Sequence, residues 1–239
     1  MEQGESQPEA ATTEQHQQPT GARAKRHEKS SEDVKMSKAL SYILRHGAEK
    51  ARLPMRADGY AKVSDVIRCA KLKADEGKIV EIVKNCEKQR FAVERIDGEL
   101  YIRANQGHTI KTVARDHLYK MIEDASEYPI CIHGTTFKAW ETIKDTGLSR
   151  MRRNEIHCAK DEFGKTLSGY RASAQVLIYV DLALCLKNGI PWFESDNGVL
   201  LTPGIGSKGV LPTGYFLKVC ENATGKELAF EKRLDAEDN

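Results

Sequence analysis

The stretch Phe91-Ala-Val-Glu-Arg-Ile-Asp-Gly-Glu-Leu-Tyr-Ile-Arg103 decides how the first half of this 239-residue chain folds. Phe91, Val93 and Arg95 are spaced two apart, the period that puts side chains on one face of a strand. Asp97-Gly98 is a hairpin-turn signal, because both residues tolerate the left-handed backbone that a tight turn needs. Leu100–Arg103 then reads as the returning strand.

Upstream of this hairpin the period changes from two to between three and four. A helix is expected from about Asp75, with Ile79, Ile82, Val83 and Cys86 on one face. A shorter one, capped by Ser64-Asp65, carries Val66, Ile67 and Ala70 after a turn at Asp58-Gly59-Tyr60. The first is Met36-Ser-Lys-Ala-Leu-Ser-Tyr-Ile-Leu-Arg-His-Gly47, where Leu40, Ile43 and Leu44 form an apolar stripe. Ser37 is its expected N-cap and Gly47 its expected left-handed C-cap. Arg45 and His46 would then stand at a helix C-terminus, whose partial negative charge favours a protonated His46. Two adjacent cations on a rigid element can clamp a phosphate. Electrostatic capping of the helix accounts for the same pair. Helices followed by a hairpin outline a winged-helix module, an outline that many small α+β domains share.

Residues 1–30, rich in Gln, Glu, Thr and Pro, read as a disordered tail. Its basic patch Ala24-Lys-Arg-His-Glu-Lys29 fits solvated charge, a nuclear address or an RNA contact. Downstream of the hairpin, Asn105-Gln-Gly-His-Thr109 is either a plain loop or one that offers backbone N–H groups to an anion. Residues 112–127 read as a connector between a lobe at 31–111 and a second at 128–234, with 235–239 a frayed tail. Strands are expected at Ile130–His133, Glu155–Ala159, Ala174–Val180, Ile190–Glu194, Val199–Thr202 and Tyr215–Val219. Between them, Phe137, Trp140 and Ile143 mark a helix ended by Gly147, and Leu182–Leu186 another. Gly204, Gly206 and Gly209 suggest a flexible loop, and the charged stretch after Cys220 one last helix.

Composition narrows the function. Residues 31–115 carry 18 Lys and Arg against 12 Asp and Glu, whereas residues 116–239 carry 15 against 18. A basic first half suits a polyanionic partner. No apolar run approaches membrane-spanning length and no signal peptide opens the chain. The six cysteines lack Cys-x-x-Cys spacing, which points to free thiols in a reducing cytosol or nucleus and away from a metal site. No P-loop, Gly-x-Gly-x-x-Gly, Gly-x-Ser-x-Gly or His-Glu-x-x-His motif is present. What recurs is arginine where order is expected: Arg45, Arg90 in Glu87-Lys-Gln-Arg-Phe91, and Arg153 in Gly147-Leu-Ser-Arg-Met-Arg-Arg-Asn154. Several arginines and a histidine suit chemistry on phosphates, which bring their own nucleophilic oxygens.

Five ordered motifs carry a resemblance: Ser37–His46, Lys88-Gln-Arg-Phe91, Arg103-Ala-Asn-Gln-Gly-His-Thr109, Ile132-His-Gly-Thr135 and Ser168-Gly-Tyr-Arg171. Together, over about residues 34–220, they resemble the tRNA 2′-phosphotransferase family. The resemblance implies an α+β protein with an N-terminal winged-helix RNA lobe and a C-terminal lobe of the ADP-ribosyltransferase type. It implies NAD as a consumed co-substrate without a metal, RNA with an internal 2′-phosphate such as ligated tRNA as the partner, and a monomer. Arg45, His46, Arg90 and Arg153 would be the catalytic set. His133, Gly134 and Thr135 would hold NAD, joined by His157, Ser168, Gly169 and Arg171, while His108 and Thr109 would meet RNA phosphate. In the implied reaction the 2′-phosphate displaces nicotinamide from NAD. A ribose hydroxyl of the attached ADP-ribose then takes the phosphoryl group, leaving a 2′-OH and ADP-ribose 1″,2″-cyclic phosphate.

One loop departs from the family, whose members commonly read Arg-Asn-His-Val-His-Leu-Ser. Here it is Arg153-Asn-Glu-Ile-His-Cys-Ala159, with Glu155 for the first His and Ala159 for the Ser. Two other readings follow from the same residues: an ADP-ribosyltransferase that caps phosphorylated nucleic-acid ends, and a non-enzymatic winged-helix RNA binder.

Overall fold

Ser30 opens the first helix rather than Ser37. In the computed structural model, which describes residues 30–162 and 173–234, the Ser30 hydroxyl accepts the Asp33 N–H at 3.1 Å. Glu32 and Asp33 add negative charge to the first turn. The helix α1 (Ser31–Tyr42) then passes without interruption into a π-helical turn, Ile43–Gly47. Leu40, Ile43 and Leu44 are buried as the stripe predicts, each contributing about 1.5–3 kcal/mol of burial. Gly47 is not a left-handed cap, since the helical backbone continues through Ala48.

There follow β1 (Ala61–Lys62), α2 (Val63–Cys69), α3 (Glu76–Lys84), β2 (Phe91–Ile96) and β3 (Glu99–Ala104). Lys62, not Ser64-Asp65, occupies the cap position of α2, so those two residues lie inside the helix. α3 starts where a helix is expected, and Asp75 caps it, accepting the Lys78 N–H. Strands β2 and β3 pair through Ile96↔Glu99, with Asp97 and Gly98 at φ 50° and 83°. Both central residues being left-handed is the geometry a two-residue hairpin requires. The first sheet is antiparallel, in the order β1-β3-β2.

The second sheet is built from β4 (Lys120–Met121), β5 (Ile132–Thr135), β7 (Ile156–Ala159), β8 (Val176–Val180), β9 (Phe193–Glu194), β10 (Val199–Thr202) and β12 (Phe216–Glu221). Its order is β12-β8-β5-β7-β10-β9-β4, and every pair in it is antiparallel. α4 (Phe137–Thr146) and α5 (Leu182–Lys187) flank it, and β6 (Leu148–Ser149) pairs with β11 (Val210–Leu211) in a small ribbon. The fold is thus α+β. The glycines at 204, 206 and 209 belong to an ordered turn, closed by the Ile205↔Val210 bridge that leads into β11.

β10 joins the two halves of the core. Its four residues are all buried. Val199 and Leu201 pack with the α1–α3 core, and Leu200 with the core of the larger sheet. A strand covered on both faces reads as an uninterrupted apolar run. The segment 112–127, expected as a connector, adds Val113, Leu118 and Tyr119 to the first core and lays β4 along the sheet edge. No helix follows β12 among the described residues. The segment is instead anchored by Phe230, whose ring lies 6.0 Å from Trp140 and 5.8 Å from Phe216. Among the described residues no helix is long and apolar enough to cross a membrane. Residues 1–29 and 235–239, expected as tails, lie outside the described residues.

Candidate active site

The π-helical turn is where the site begins. Wider turns of this kind interrupt the α-helical period and often sit at functional positions. Here Leu44 faces the core while the next two residues, Arg45 and His46, face the junction between the two sheets. The Arg45 carbonyl accepts the Thr109 N–H at 2.9 Å, with the Thr109 hydroxyl 3.3 Å away. His46 Nδ1 lies 3.1 Å from that hydroxyl. Loop 105–109 therefore ties down the turn that carries both residues, and Gly107 lies flat against the Arg45 side chain.

Arg45 is the centre of charge. Burial, then the cations of Arg153 and Arg90, push its guanidinium down to about 10. Among the described residues its Nε and Nη2 are buried without a hydrogen-bond partner. A buried charge without compensation costs several kcal/mol, so the arrangement is poised for an anion. Arg90 comes from the α3–β2 junction, its Nη1 3.6 Å from Cys86 Sγ. Its carbonyl accepts the Asn105 N–H, and Asn105 Nδ2 donates to the Gln89 carbonyl. Arg153 comes from the loop between β6 and β7. Three separate segments thus bring one arginine each.

His46 departs from the expected protonated state. Burial, then Arg45, Arg153 and Arg152, hold its pKa below the usual histidine value. Arg45 and His46 do stand in the last turn of the helical segment, but burial and the full positive charges of the arginines outweigh the partial charge of that helix end. His108 and Thr109, expected at RNA phosphate, are placed differently from each other. Thr109 is half-buried and engaged with Arg45 and His46. His108 is 1% exposed, and burial, then Arg45, push its pKa down to about 3. Both of its ring nitrogens are buried without a hydrogen-bond partner among the described residues.

On the larger sheet, two histidines are oriented by the backbone. His133 Nδ1–H donates to the His157 carbonyl at 2.8 Å, and His157 Nδ1–H donates to the Glu155 carbonyl at 2.9 Å. A carbonyl only accepts, so each Nδ1 carries the proton. Burial, then Arg153, keeps His157 neutral. Its Nε2 is therefore a buried lone pair, without a donor among the described residues. Gly134 and Thr135 continue β5 past His133, pairing with Leu177 and Val176. Ser168, Gly169 and Arg171 lie outside the described residues.

Asn154 was not singled out from sequence, yet it joins the two halves of the site. Its N–H donates to the His108 carbonyl and its Nδ2 to the Ile110 carbonyl, while Oδ1 accepts Lys111 Nζ. These bonds fix the loop carrying Arg153 onto the loop that holds Arg45. The only sequence signal was position, an amide directly after the candidate arginine. Glu155 turns away from the histidines. Its carboxylate is 3% exposed and lies 3.5 Å from both Arg115 Nε and Tyr119 Oη. Burial raises its pKa despite the opposing pull of Arg115. Ala159 is buried between β5 and β10.

The family model described as RNA 2′-phosphotransferase, Tpt1 / KptA family, matches residues 31–204. The chain is similar to a Schizosaccharomyces pombe protein, 41% identical over 198 residues, which are 82% of this chain and 53% of the relative. It spans about half the length of that protein and more of two others. A Danio rerio protein called tRNA 2′-phosphotransferase 1 is 40% identical over 192 residues, 78% of this chain and 84% of its own. A Homo sapiens protein of the same name is 39% identical over 201 residues, 82% and 79% respectively.

Proposed function

Since the chain belongs to the RNA 2′-phosphotransferase, Tpt1 / KptA family, we propose that it removes an internal 2′-phosphate from RNA, with NAD as consumed co-substrate. Ligated tRNA, whose splice junction carries such a phosphate, is the proposed substrate. On this reading residues 31–111 are a winged-helix RNA lobe and residues 128–234 an ADP-ribosyltransferase-type lobe. The order of helices then hairpin supports the first, and the antiparallel seven-stranded sheet supports the second.

The observation that carries the proposal is Arg45, a buried guanidinium with unpaired N–H groups and two further arginines acting on it. A phosphate dianion would remove that electrostatic cost and be oriented at the same time. Arg90 would hold the phosphate from the RNA side. Arg153, from the other lobe, would stabilise charge that develops on it during transfer. His46, its pKa held below the usual histidine value, can move a proton at Nε2, the ring nitrogen not engaged by Thr109. Thr109 positions Arg45 and His46, with His108 packed behind it.

The residues present suit a dinucleotide. His157 Nε2 is a buried acceptor in want of a donor, which a ribose hydroxyl or a carboxamide N–H would provide. His133, Gly134 and Thr135 form the strand end beside it. NAD, when bound, supplies an electrophilic ribose carbon with nicotinamide as leaving group, then the hydroxyl that takes the phosphoryl group. Glu155 and Ala159 leave this chemistry untouched, because the first is engaged by Arg115 and Tyr119 and the second is core.

The test is RNA bearing one internal 2′-phosphate, incubated with NAD. Release of nicotinamide together with a cyclic phosphate product is expected. Nicotinamide release with lasting ADP-ribosylated RNA would identify an end-capping type of transferase instead, and RNA binding with neither product would leave only a binding protein.

A further inference from the structure

One exposed face next to the arginine cluster is unaccounted for by phosphate binding. Tyr42, the last residue of α1, is 58% exposed, yet its ring is not loosely placed. The inner edge lies over Gly47, where a Cβ would come within 2.8 Å of Tyr42 Cε1. The ring is also tilted at 54° to the His46 imidazole, with centroids 6.3 Å apart. Lys38 and Lys35 precede Tyr42 by one and two helical turns, so the helical period places them on its face. Both are exposed. Arg152 is exposed as well, and close enough for its charge to act on His46. A single exposed aromatic is unremarkable on a surface. An aromatic seated on a glycine, flanked by cations and continuous with a phosphate clamp is the arrangement that binds single-stranded nucleic acid.

We infer that Tyr42 is a stacking platform for the base of a nucleotide adjacent to the bound phosphate, with Lys35, Lys38 and Arg152 facing the RNA backbone on either side of it. This rests on the reading that the Arg45 cluster takes an RNA phosphate. A nucleobase is the occupant because an exposed aromatic ring stands in a cationic surround. An apolar peptide side chain gains nothing from that charge, and a free phosphate gains nothing from the ring. Stacking tolerates any base, so the subsite would hold a flanking nucleotide in register without reading its identity.

The test compares oligoribonucleotides carrying one internal 2′-phosphate, either intact or with an abasic residue on one side or the other. Tyr42→Ala should raise KM for intact RNA roughly fivefold to a hundredfold, leaving kcat, KM for NAD and Tm nearly unchanged. Tyr42→Phe should restore it. Gly47→Ala, which displaces the ring without demanding a new backbone conformation, should raise KM in the same direction. On one of the two abasic RNAs, Tyr42→Ala should make no further difference. An unchanged KM on intact RNA, or an equal loss on both abasic RNAs, overturns the inference. If the wild-type chain turns over no RNA, the proposed reaction fails by itself. The subsite is then read from quenching of the added fluorescence of Tyr42→Trp, which intact RNA should cause and one abasic RNA should not; equal quenching by all three would overturn it.

Discussion

Around Arg45 the site is made of positive charge, with guanidinium N–H groups left buried and unpaired among the described residues. Around His157 it is made of imidazole rings whose Nδ1–H groups are directed by backbone carbonyls. On the proposed function the two regions would answer different recognition problems. A phosphate is bound by matching its charge, so cations can be gathered at the expense of folding stability. An uncharged hydroxyl or amide is bound by direction, so the protein must decide which ring nitrogen carries a hydrogen. The same local field serves both, because Arg153 and Arg45 also help keep His157 unprotonated.

This contrast is sharpest at Arg45. Arg45→Met should lower kcat/KM for 2′-phosphorylated RNA by at least about a hundredfold, the scale for losing a preorganised donor to developing charge. The same change should raise Tm, because an uncompensated buried cation is replaced by an apolar side chain of similar length. Loss of activity together with loss of stability would show that Arg45 holds the fold and not the ligand.

A smaller effect appears on acidification. His108 has its folded pKa depressed to about 3 from an unfolded value of 6.5. The unfolded chain therefore takes up a proton first, and stability is fully present above pH 6.5 and falls as the pH drops towards 3. At pH 5 this one group should cost about 2 kcal/mol relative to pH 7. Denaturant unfolding of His108→Gln across pH 5–7 should show a correspondingly flatter dependence; a slope identical to wild type would mean that His108 is solvated in the native state. His157 contributes in the same direction.

The smallest effect belongs to the neutral region. His157→Phe removes the Nε2 acceptor together with the Nδ1–H bond to the Glu155 carbonyl, and should raise KM for NAD roughly fivefold to tenfold, on the scale of one lost hydrogen bond. KM for RNA should stay as it was. A change in both constants would erase the distinction between the two ends of the site.

Much of this was legible from spacing. The stripe of Leu40, Ile43 and Leu44, the Asp97-Gly98 hairpin, the helix from about Asp75 and the strand at Ile156–Ala159 follow from periodicity and turn chemistry, which are local. The first error is itself local, and the others originate in tertiary contacts. Ser37 lost its capping role because Ser30 offered a hydroxyl and acidic neighbours earlier. Gly47 is required by the ring of Tyr42 and not by backbone handedness. The stretch after Cys220 found aromatic partners in Trp140 and Phe216 and had no need of a helix. Within the site, Arg45, Arg90 and Arg153 were legible as residue types suited to phosphate, whereas Asn154 was not, because its bonds run to residues more than forty positions away.

By itself, then, the sequence determined the α+β class, the apolar faces, the hairpin and the identities of the candidate arginines and histidines, since each depends on neighbours a few positions apart. Tertiary structure alone decided that three distant arginines share one field, that the pKa of His46 is lowered and His108 is held neutral, that His157 keeps a bare Nε2, and that Glu155 faces Arg115. Protonation and pairing depend on burial and on charges brought together by folding, and neither is a property of any short stretch of chain.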